Sequence, residues 1–220
     1  GHLKKLNAWP SSVERKLQQI ADKAILYLDA RMQEDYLQMI KSVKYAETPT
    51  NTSLAVQYLY MRSFFADKPI ARAHTKAYAY VTSTAQKGWA KTSKQQQAMI
   101  ALVMHRNGNK KLATAILASL REYSITNQEF GMYWKEFNNP GFYWWQAPIE
   151  SHALLLEAFA EIENNTARIN DLKTWLLKQK QTTHWPSPRA TAETCYALLM
   201  TGSTLLEVHQ AISIKAGNWA

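Results

Sequence analysis

The sequence has little of what disulfide-stapled, β-rich or membrane-spanning proteins need. Its one cysteine, Cys195, cannot form a disulfide within the chain, so cysteine usage does not indicate a redox compartment. Seven glycines and seven prolines in 220 residues are few for an all-β fold with many tight turns. No apolar run reaches the ~18 residues that cross a bilayer. These absences favour an all-α fold and predict no transmembrane segment.

Familiar catalytic and cofactor motifs are also missing. There is no glycine-rich phosphate loop, and no serine, histidine and aspartate set at a nucleophile elbow. None of the six histidines pairs with another at metal-ligand spacing, and no second cysteine supports a zinc site. We therefore expect no cofactor, no metal ion and no catalytic activity.

Acidic residues are outnumbered by basic ones, and the net charge is +9. Residues 51–100 carry seven lysines and arginines against one aspartate, whereas residues 151–220 balance at six and six. The basic residues are spread singly instead of forming the cluster or stripe typical of nucleic-acid-binding proteins. We interpret them as a solvated face and expect no nucleic-acid partner, although attraction to an acidic partner domain stays open.

The residues that are abundant favour helices. Ala, Leu, Gln and Lys are good helix formers, and a hydrophobic fraction of 46% allows a sizeable core. Long amphipathic segments alternate with shorter apolar ones. The long segments are 11–43, 69–86, 109–123 and 167–180. In the first, apolar residues recur at helical spacing on one face: Leu17, Ile20, Ala24, Ile25 and Leu28.

Each long segment precedes a polar loop and a shorter helix that is apolar on more than one face. The shorter helices align as AVQYLYM (55–61), AMIALVM (98–104), ALLLEAF (153–159) and TCYALLM (194–200), at offsets of 43, 55 and 41 residues. Helix pairs repeated every ~40 residues predict a solenoid or a ring of hairpins. We predict an α/α toroid with the short helices inside. Four hairpins are fewer than the five or six of a complete ring, so we expect an incomplete one.

Two stretches depart from this rhythm. The longer interval contains EFGMYWKEFNNPGFYWWQAP (129–148), an aromatic loop of a length that is uncommon without a function. Near the end, HQAISIKAGNWA (209–220) alternates apolar and polar residues, which predicts a β-strand. We therefore divide the chain into a partial helical domain over 1–206 and a strand over 207–220 that leads into a following β-domain. Because the opening GHLKKLNAWP has no leader, we expect a piece of a longer protein.

One hairpin resembles a known family. TWLLKQKQTTHWPSPRATAETCYALL (174–199) is similar to the hairpins of terpenoid-cyclase-like toroids, with a tryptophan in the loop between outer and inner helix. Thr183 stands where that signature has a glycine. The thioester-containing domain of alpha-2-macroglobulins and complement proteins uses the same hairpin. Three further stretches resemble the bacterial branch of that family: GHLKKL (1–6), GFYWWQAPIESHALLLEAFAEI (141–162) and HQAISIKAGNWA (209–220).

The resemblance implies a segment of a bacterial alpha-2-macroglobulin-like protein that traps proteases in the cell envelope or periplasm. The family forms a thioester in a Cys-x-Glu-Gln motif, which this sequence lacks, since Tyr196, Ala197 and Leu198 follow Cys195. The resemblance places that motif upstream, so we expect a structural segment. Its partners would be neighbouring β-domains of the same chain, with proteases as targets of the whole protein. We interpret Cys195 as a small buried apolar residue.

Candidate contact residues lie in the loops and first turns that open the inner helices. Exposed aromatic residues dominate interface energetics, although packing is their more frequent role. Carboxylates near helix N-termini are favoured by the helix dipole, and a histidine there is more often a hydrogen-bonded structural residue. The candidate contact surface comprises Trp144, Trp145, Glu150, His152, Trp185, Arg189 and Glu193.

Two other functions stay open. The toroid fold also hosts glycosidases and polysaccharide lyases, for which Glu150 and Glu193 are the candidate acid and base. Hydrolysis needs two carboxyls roughly 5–9.5 Å apart. A deep open cleft containing both would favour the enzyme, whereas a plugged centre would count against it. A plain helical-repeat binding module is the third possibility.

Overall fold

The computed structural model describes residues 1–6, 11–41, 52–138, 147–180 and 185–202. Within these ranges the chain is mostly helical, as the composition predicts, and its helices are numbered in chain order. They are α1 (His2–Lys5), α2 (Glu14–Lys41), α3 (Ser53–Ser63), α4 (Thr75–Gly88), α5 (Lys94–Arg106), α6 (Lys110–Glu122), α7 (Lys135–Asn138), α8 (Pro148–Ile162), α9 (Thr166–Lys178) and α10 (Pro188–Met200). None of these helices is long and apolar enough to cross a membrane.

Short elements complete the fold. The 3-10 turns Arg72–His74 and Trp89–Lys91 flank α4. Strands β1 (Ile125–Asn127) and β2 (Gly131–Tyr133) form an antiparallel pair, and β2 packs against α9. The stretch 129–148 is therefore not structureless, because β2 and α7 lie in its first half.

The four segments predicted as inner helices are helical and lie side by side. They belong to α3, α5, α8 and α10, which contact one another in that order and are called the inner row below. The middle of the row is the core: residues 98–104 of α5 and 151–159 of α8 are all buried. Helix α6 packs on α5 and α8, and α9 packs on α8. An all-α fold is confirmed, whereas the toroid arrangement stays a prediction.

Capping side chains explain where five of these helices start. A side-chain oxygen just before the helix accepts a backbone N–H of the first turn, which would otherwise lack a partner. The capping residues are Thr52 for α3, Ser93 for α5, Asn109 for α6, Asn165 for α9 and Ser187 for α10. Gly108 has a φ of +85° at the end of α5, where the chain reverses tightly into α6.

The helices α6 and α9 end in the same way. In both, the backbone hydrogen bonds of the last turn skip the third carbonyl from the end, that of Leu120 or Leu176. The indole N–H of Trp134 donates to the Leu120 carbonyl at 2.9 Å, and that of Trp185 donates to the Leu176 carbonyl at 2.8 Å. Because a buried carbonyl without a donor is costly, each tryptophan both fills the core and completes a helix end.

Three expectations need correction. Cys195 is exposed, not buried, because the face of α10 that also carries Leu199 has little packed against it among the described residues. The second long helix begins at Thr75 and not near 69, since a 3-10 turn precedes it. The apolar stripe of α2 shares one face, but Ile20 is 63% exposed in an open groove beside α3. The strand predicted over 207–220 lies outside the described residues.

We expect Trp185→Phe to lower the free energy of unfolding by about 2 kcal/mol, because the Leu176 carbonyl loses its donor while the ring remains. Urea unfolding followed by circular dichroism measures this. Trp89→Phe is the matched control, since Trp89 is only partly buried against the core and its indole donates no hydrogen bond within the described residues. An equal loss in both variants would show that ring size, and not the hydrogen bond, matters.

Candidate functional site

The C-terminal halves of the four inner-row helices meet at one buried carboxylate. Glu157 lies in the third turn of α8 and is 1% exposed. A charge at such a position is stable only if it is paired and hydrogen-bonded. Its partners come from each of the other three helices of the inner row. We call this group the Glu157 cluster; it comprises Tyr60, Ser63, Arg106, Glu157, Glu161 and Tyr196.

Arg106, the last residue of α5, supplies the positive charge. Its guanidinium donates to both oxygens of Glu161 at 2.8 Å, to Glu157 at 2.6 Å and to the Ser63 hydroxyl at 2.9 Å. The guanidinium also lies 4.4 Å from the centre of the Phe64 ring. A planar fork with five donors suits this role, and a cation is favoured at the C-terminal end of a helix. Arg106 thereby holds α3, α5 and α8 together.

Two tyrosines complete the coordination of Glu157. The Tyr60 hydroxyl of α3 donates to one carboxylate oxygen at 2.5 Å, and the Tyr196 hydroxyl of α10 donates to the other at 2.9 Å. The first and the last helix of the inner row are thus joined through a single carboxylate. The row therefore curves, because a straight row would hold α3 and α10 apart by the widths of α5 and α8.

The cluster shifts the ionisation of its members. Burial raises the pKa of both tyrosines, and the Glu157 charge raises it further, so both hydroxyls stay protonated donors. Burial alone would raise the pKa of Glu161, but the hydrogen bonds and charges of Arg106 and Lys5 outweigh it and lower the pKa to about 2. The pKa of Arg106 is raised because its acidic partners outweigh its burial. The Glu161 carboxyl and the Arg106 guanidinium are therefore charged at neutral pH.

The short helix α1 lies over this cluster. The His2 ring stacks on Tyr196 with centroids 3.7 Å apart, and its Nε2 lies 3.2 Å from the Tyr60 hydroxyl. Lys5 pairs with Glu161 and lies 3.5 Å from Glu157. Residues from the start of the chain therefore contact both the first and the last helix of the inner row, α3 and α10. No group of three or more potential metal ligands occurs in the part of the chain that the structure describes.

His152 belongs to a separate aromatic core. It is fully buried and stacks on Trp175 with centroids 4.3 Å apart, while Trp134 and Phe137 meet it edge-on. Its Nε2 lies 3.1 Å from the Leu172 carbonyl, the geometry of an N–H donor. Burial lowers the pKa of His152 to about 3, and the Leu172 hydrogen bond opposes this only in part. His152 is thus a neutral packing residue that faces away from solvent.

The candidate acid and base are held by different neighbours. Glu150 accepts a hydrogen bond from Ser187 at 3.3 Å, and Glu193 lies 3.6 Å from the His2 ring nitrogen. Burial raises the pKa of Glu193; Arg189 opposes this, whereas Glu157 and Glu150 add to it. Neither carboxylate lines the open groove beside α3 in which Ile20 lies.

The predicted contact surface is only partly a surface. His152 and Trp185 are buried, so neither is available to a partner in this fold. Glu150 and Glu193 are half-buried, and Arg189 is exposed. Trp144 and Trp145 lie outside the described residues.

Sequence reasoning missed the Glu157 cluster. One signal was present, since Glu157 in ALLLEAF is the only charged residue in any of the four inner segments. A carboxylate in a buried helix predicts a basic partner. Arg106 could not have been identified as that partner, because 51 residues separate the two in sequence.

Comparisons with family models, with curated proteins and with solved structures found no match for this chain.

We expect Glu157→Gln to destabilise the chain by about 2–4 kcal/mol, because it leaves buried donors without a charged acceptor. The matched control is Glu34→Gln, which breaks an exposed ion pair with Arg31 and should cost less than about 0.5 kcal/mol. Urea unfolding at neutral pH measures both. Similar losses in the two variants would contradict a central role for Glu157.

We expect His152→Gln to weaken the acid sensitivity of folding. The folded pKa of about 3 lies below the ordinary 6.5, so the unfolded chain takes up a proton first as the pH falls. The stability that the low folded-state pKa of His152 contributes is complete above pH ~6.5. As the pH falls from there towards the folded pKa, it decreases by about 1.4 kcal/mol per pH unit. Urea unfolding at pH 7 and pH 5 should show a smaller loss in the variant than in the parent. At pH 5 Glu161 does not contribute, because its stabilisation is lost only below its ordinary pKa of 4.5.

Proposed function

We propose that this chain is a structural segment of a bacterial alpha-2-macroglobulin-like protease inhibitor and has no catalytic activity of its own. The observation that carries the proposal is the Glu157 cluster. It joins all four inner-row helices through satisfied ion pairs and hydrogen bonds, in a place where an enzyme of this architecture would need an open cleft. A rigid, filled helical domain suits a scaffold that holds neighbouring parts of a larger protein.

The proposed architecture is a partial α/α toroid of the terpenoid-cyclase-like type. The curvature of the inner row supports it, since α3 and α10 share the Glu157 carboxylate. The matching tryptophan contacts at the ends of α6 and α9 support a repeated hairpin. In this proposal α1 closes the gap between the first and the last inner helix.

The resemblance provides the biological setting of the proposal. The segment would contact neighbouring β-domains of the same protein, and the whole protein would trap proteases in the periplasm or cell envelope. The apolar groove between α1, α2 and α3 offers an area for such intramolecular contacts, because Ile20 and Leu3 are exposed along it.

A glycosidase or lyase is the second candidate. The observation that favours it is the raised pKa of Glu193, because a general acid must be protonated near neutral pH. Against it, His2 covers Glu193 and stacks on the adjacent Tyr196, which plugs the space that a sugar chain would enter. We therefore expect the chain to degrade no polysaccharide, and Glu150→Gln and Glu193→Gln to make no difference in that assay.

The proposal predicts a methylamine adduct on the complete gene product that contains this chain. Intact mass before and after methylamine should show one adduct, accompanied by one newly titratable thiol. The adduct should persist in the Cys195→Ser variant, because Cys195 lies outside any thioester motif. A protease-protection assay on the same sample should show trapped protease.

The outcomes separate the candidates. Protection without an adduct would support a family member that works without covalent capture. Absence of both, together with release of reducing sugar that Glu193→Gln abolishes, would replace the inhibitor with the enzyme.

A further inference from the structure

Acidic residues are absent from a long stretch in the middle of the chain. Residues 68–121 contain ten lysines and arginines but no aspartate or glutamate. The stretch forms α4, α5 and α6 with the turns between them. Any carboxylate that pairs with these basic residues must therefore come from another part of the fold or from a partner.

Four of the ten basic residues obtain a carboxylate from elsewhere in the fold. They are Lys68, Lys94, Arg106 and Arg121. The other six are exposed and take part in no ion pair among the residues that the structure describes. We call them the basic surface; it comprises Arg72, Lys76, Lys87, Lys91, Lys110 and Lys111.

Helix α4 aligns four of these charges. Lys76 and Lys87 are about three turns apart, so they lie on one face of the helix, roughly 17 Å from each other along its axis. Arg72 and Lys91 lie in the 3-10 turns that flank α4 at its two ends. Residues that the sequence spreads singly thus form a stripe in the fold.

The start of α6 extends this stripe. The Asn107 side chain, in the turn between α5 and α6, donates a hydrogen bond to the Tyr78 hydroxyl of α4 at 3.2 Å. Lys110 and Lys111, the first two residues of α6, therefore lie near the first turns of α4. All six charges of the basic surface belong to one side of the molecule.

Local stability does not account for this arrangement. Like charges one turn apart on a helix are destabilising, and carboxylates are the side chains favoured in a first turn. Arg72 nevertheless precedes Lys76 by four residues, and α4, α5 and α6 all lack an acidic residue in the first turn. A surface that serves only solubility mixes both signs. Positions that break local rules in this way are expected at functional sites.

The neighbouring side chains indicate the class of partner. Nucleic-acid surfaces expose aromatic or amide side chains that stack on bases or read their edges. The tyrosines of α4 are half-buried instead, with Tyr78 against Tyr58 and Tyr80 against Tyr36. All of α4 is described, and none of its large apolar side chains is exposed for insertion into a bilayer.

We propose that the basic surface binds an acidic segment of a protein, a run of aspartates and glutamates. Each lysine offers a single point charge, which suits one carboxylate, whereas paired phosphate oxygens favour the fork of arginine. Ala79 and Ser83 lie between Lys76 and Lys87 on the same face, and their small side chains let the backbone of the partner approach. The inference does not rest on the proposed function, because no residue of the basic surface belongs to the Glu157 cluster or to the family resemblance.

The test is a titration of a fluorescently labelled poly-glutamate peptide with the 220-residue chain at low ionic strength, followed by anisotropy. The double variant Lys76→Gln, Lys87→Gln should weaken binding roughly tenfold, because two ion pairs with the peptide are lost. The matched control is Lys16→Gln, Lys180→Gln. Both control lysines are exposed and lie outside the basic surface, and the same charge is removed. Equal weakening by the two double variants would show general attraction to a basic protein and would overturn the proposal.

A DNA duplex of the same total charge and vesicles of phosphatidylglycerol test the class of partner. We expect the peptide to bind more tightly than either. Tighter binding of DNA or vesicles that Lys76→Gln, Lys87→Gln weakens would overturn the choice of a protein partner.

Thermal unfolding followed by circular dichroism tests whether these lysines serve the fold instead. The midpoint of Lys76→Gln, Lys87→Gln should equal or exceed that of the parent, since like charges are removed from the helix. A lower midpoint would show that the lysines stabilise the fold and would overturn the argument for a partner.

Discussion

The arrangement of the inner row depends on how a buried carboxylate obtains its partners. Glu157 lies where no water can solvate it, and each of its oxygens is paired with donors from other helices. Such a charge tolerates little displacement, because loss of one partner leaves an uncompensated charge in a poorly polarisable interior. The positions of α3, α5 and α10 relative to α8 follow from that requirement, and with them the curvature of the row.

The hairpins meet a second requirement, that of their own backbone. Outer helices α6 and α9 each leave one carbonyl of the last turn without a backbone donor, and a tryptophan from the following loop supplies it. The same side chain packs into the core beneath the inner row. A tryptophan thus sets both where each of these helices ends and how the chain turns inward. A hairpin that depends on this one residue type can be repeated with little sequence identity.

The N-terminal ends and the C-terminal halves of the inner-row helices differ in chemistry. At the C-terminal halves, ion pairs, tyrosine hydroxyls and α1 fill the interior. At the N-terminal ends of α3, α5 and α8, the residues Ser53, Lys94 and Ser151 border a polar pocket. Both properties come from running four helices with the same end together.

The sequence by itself determined the all-α class, the four inner segments and most outer helices, because helical periodicity and capping residues act locally. It did not determine which tryptophans and histidines pack: Trp185 and His152 looked like surface candidates, and their burial depends on α9 lying against them. The pairing of Glu157 with Arg106 and the cover that His2 places over Glu193 were likewise decided only by the tertiary structure. These contacts join residues far apart in the chain, and nothing in the local pattern of either partner specifies the other.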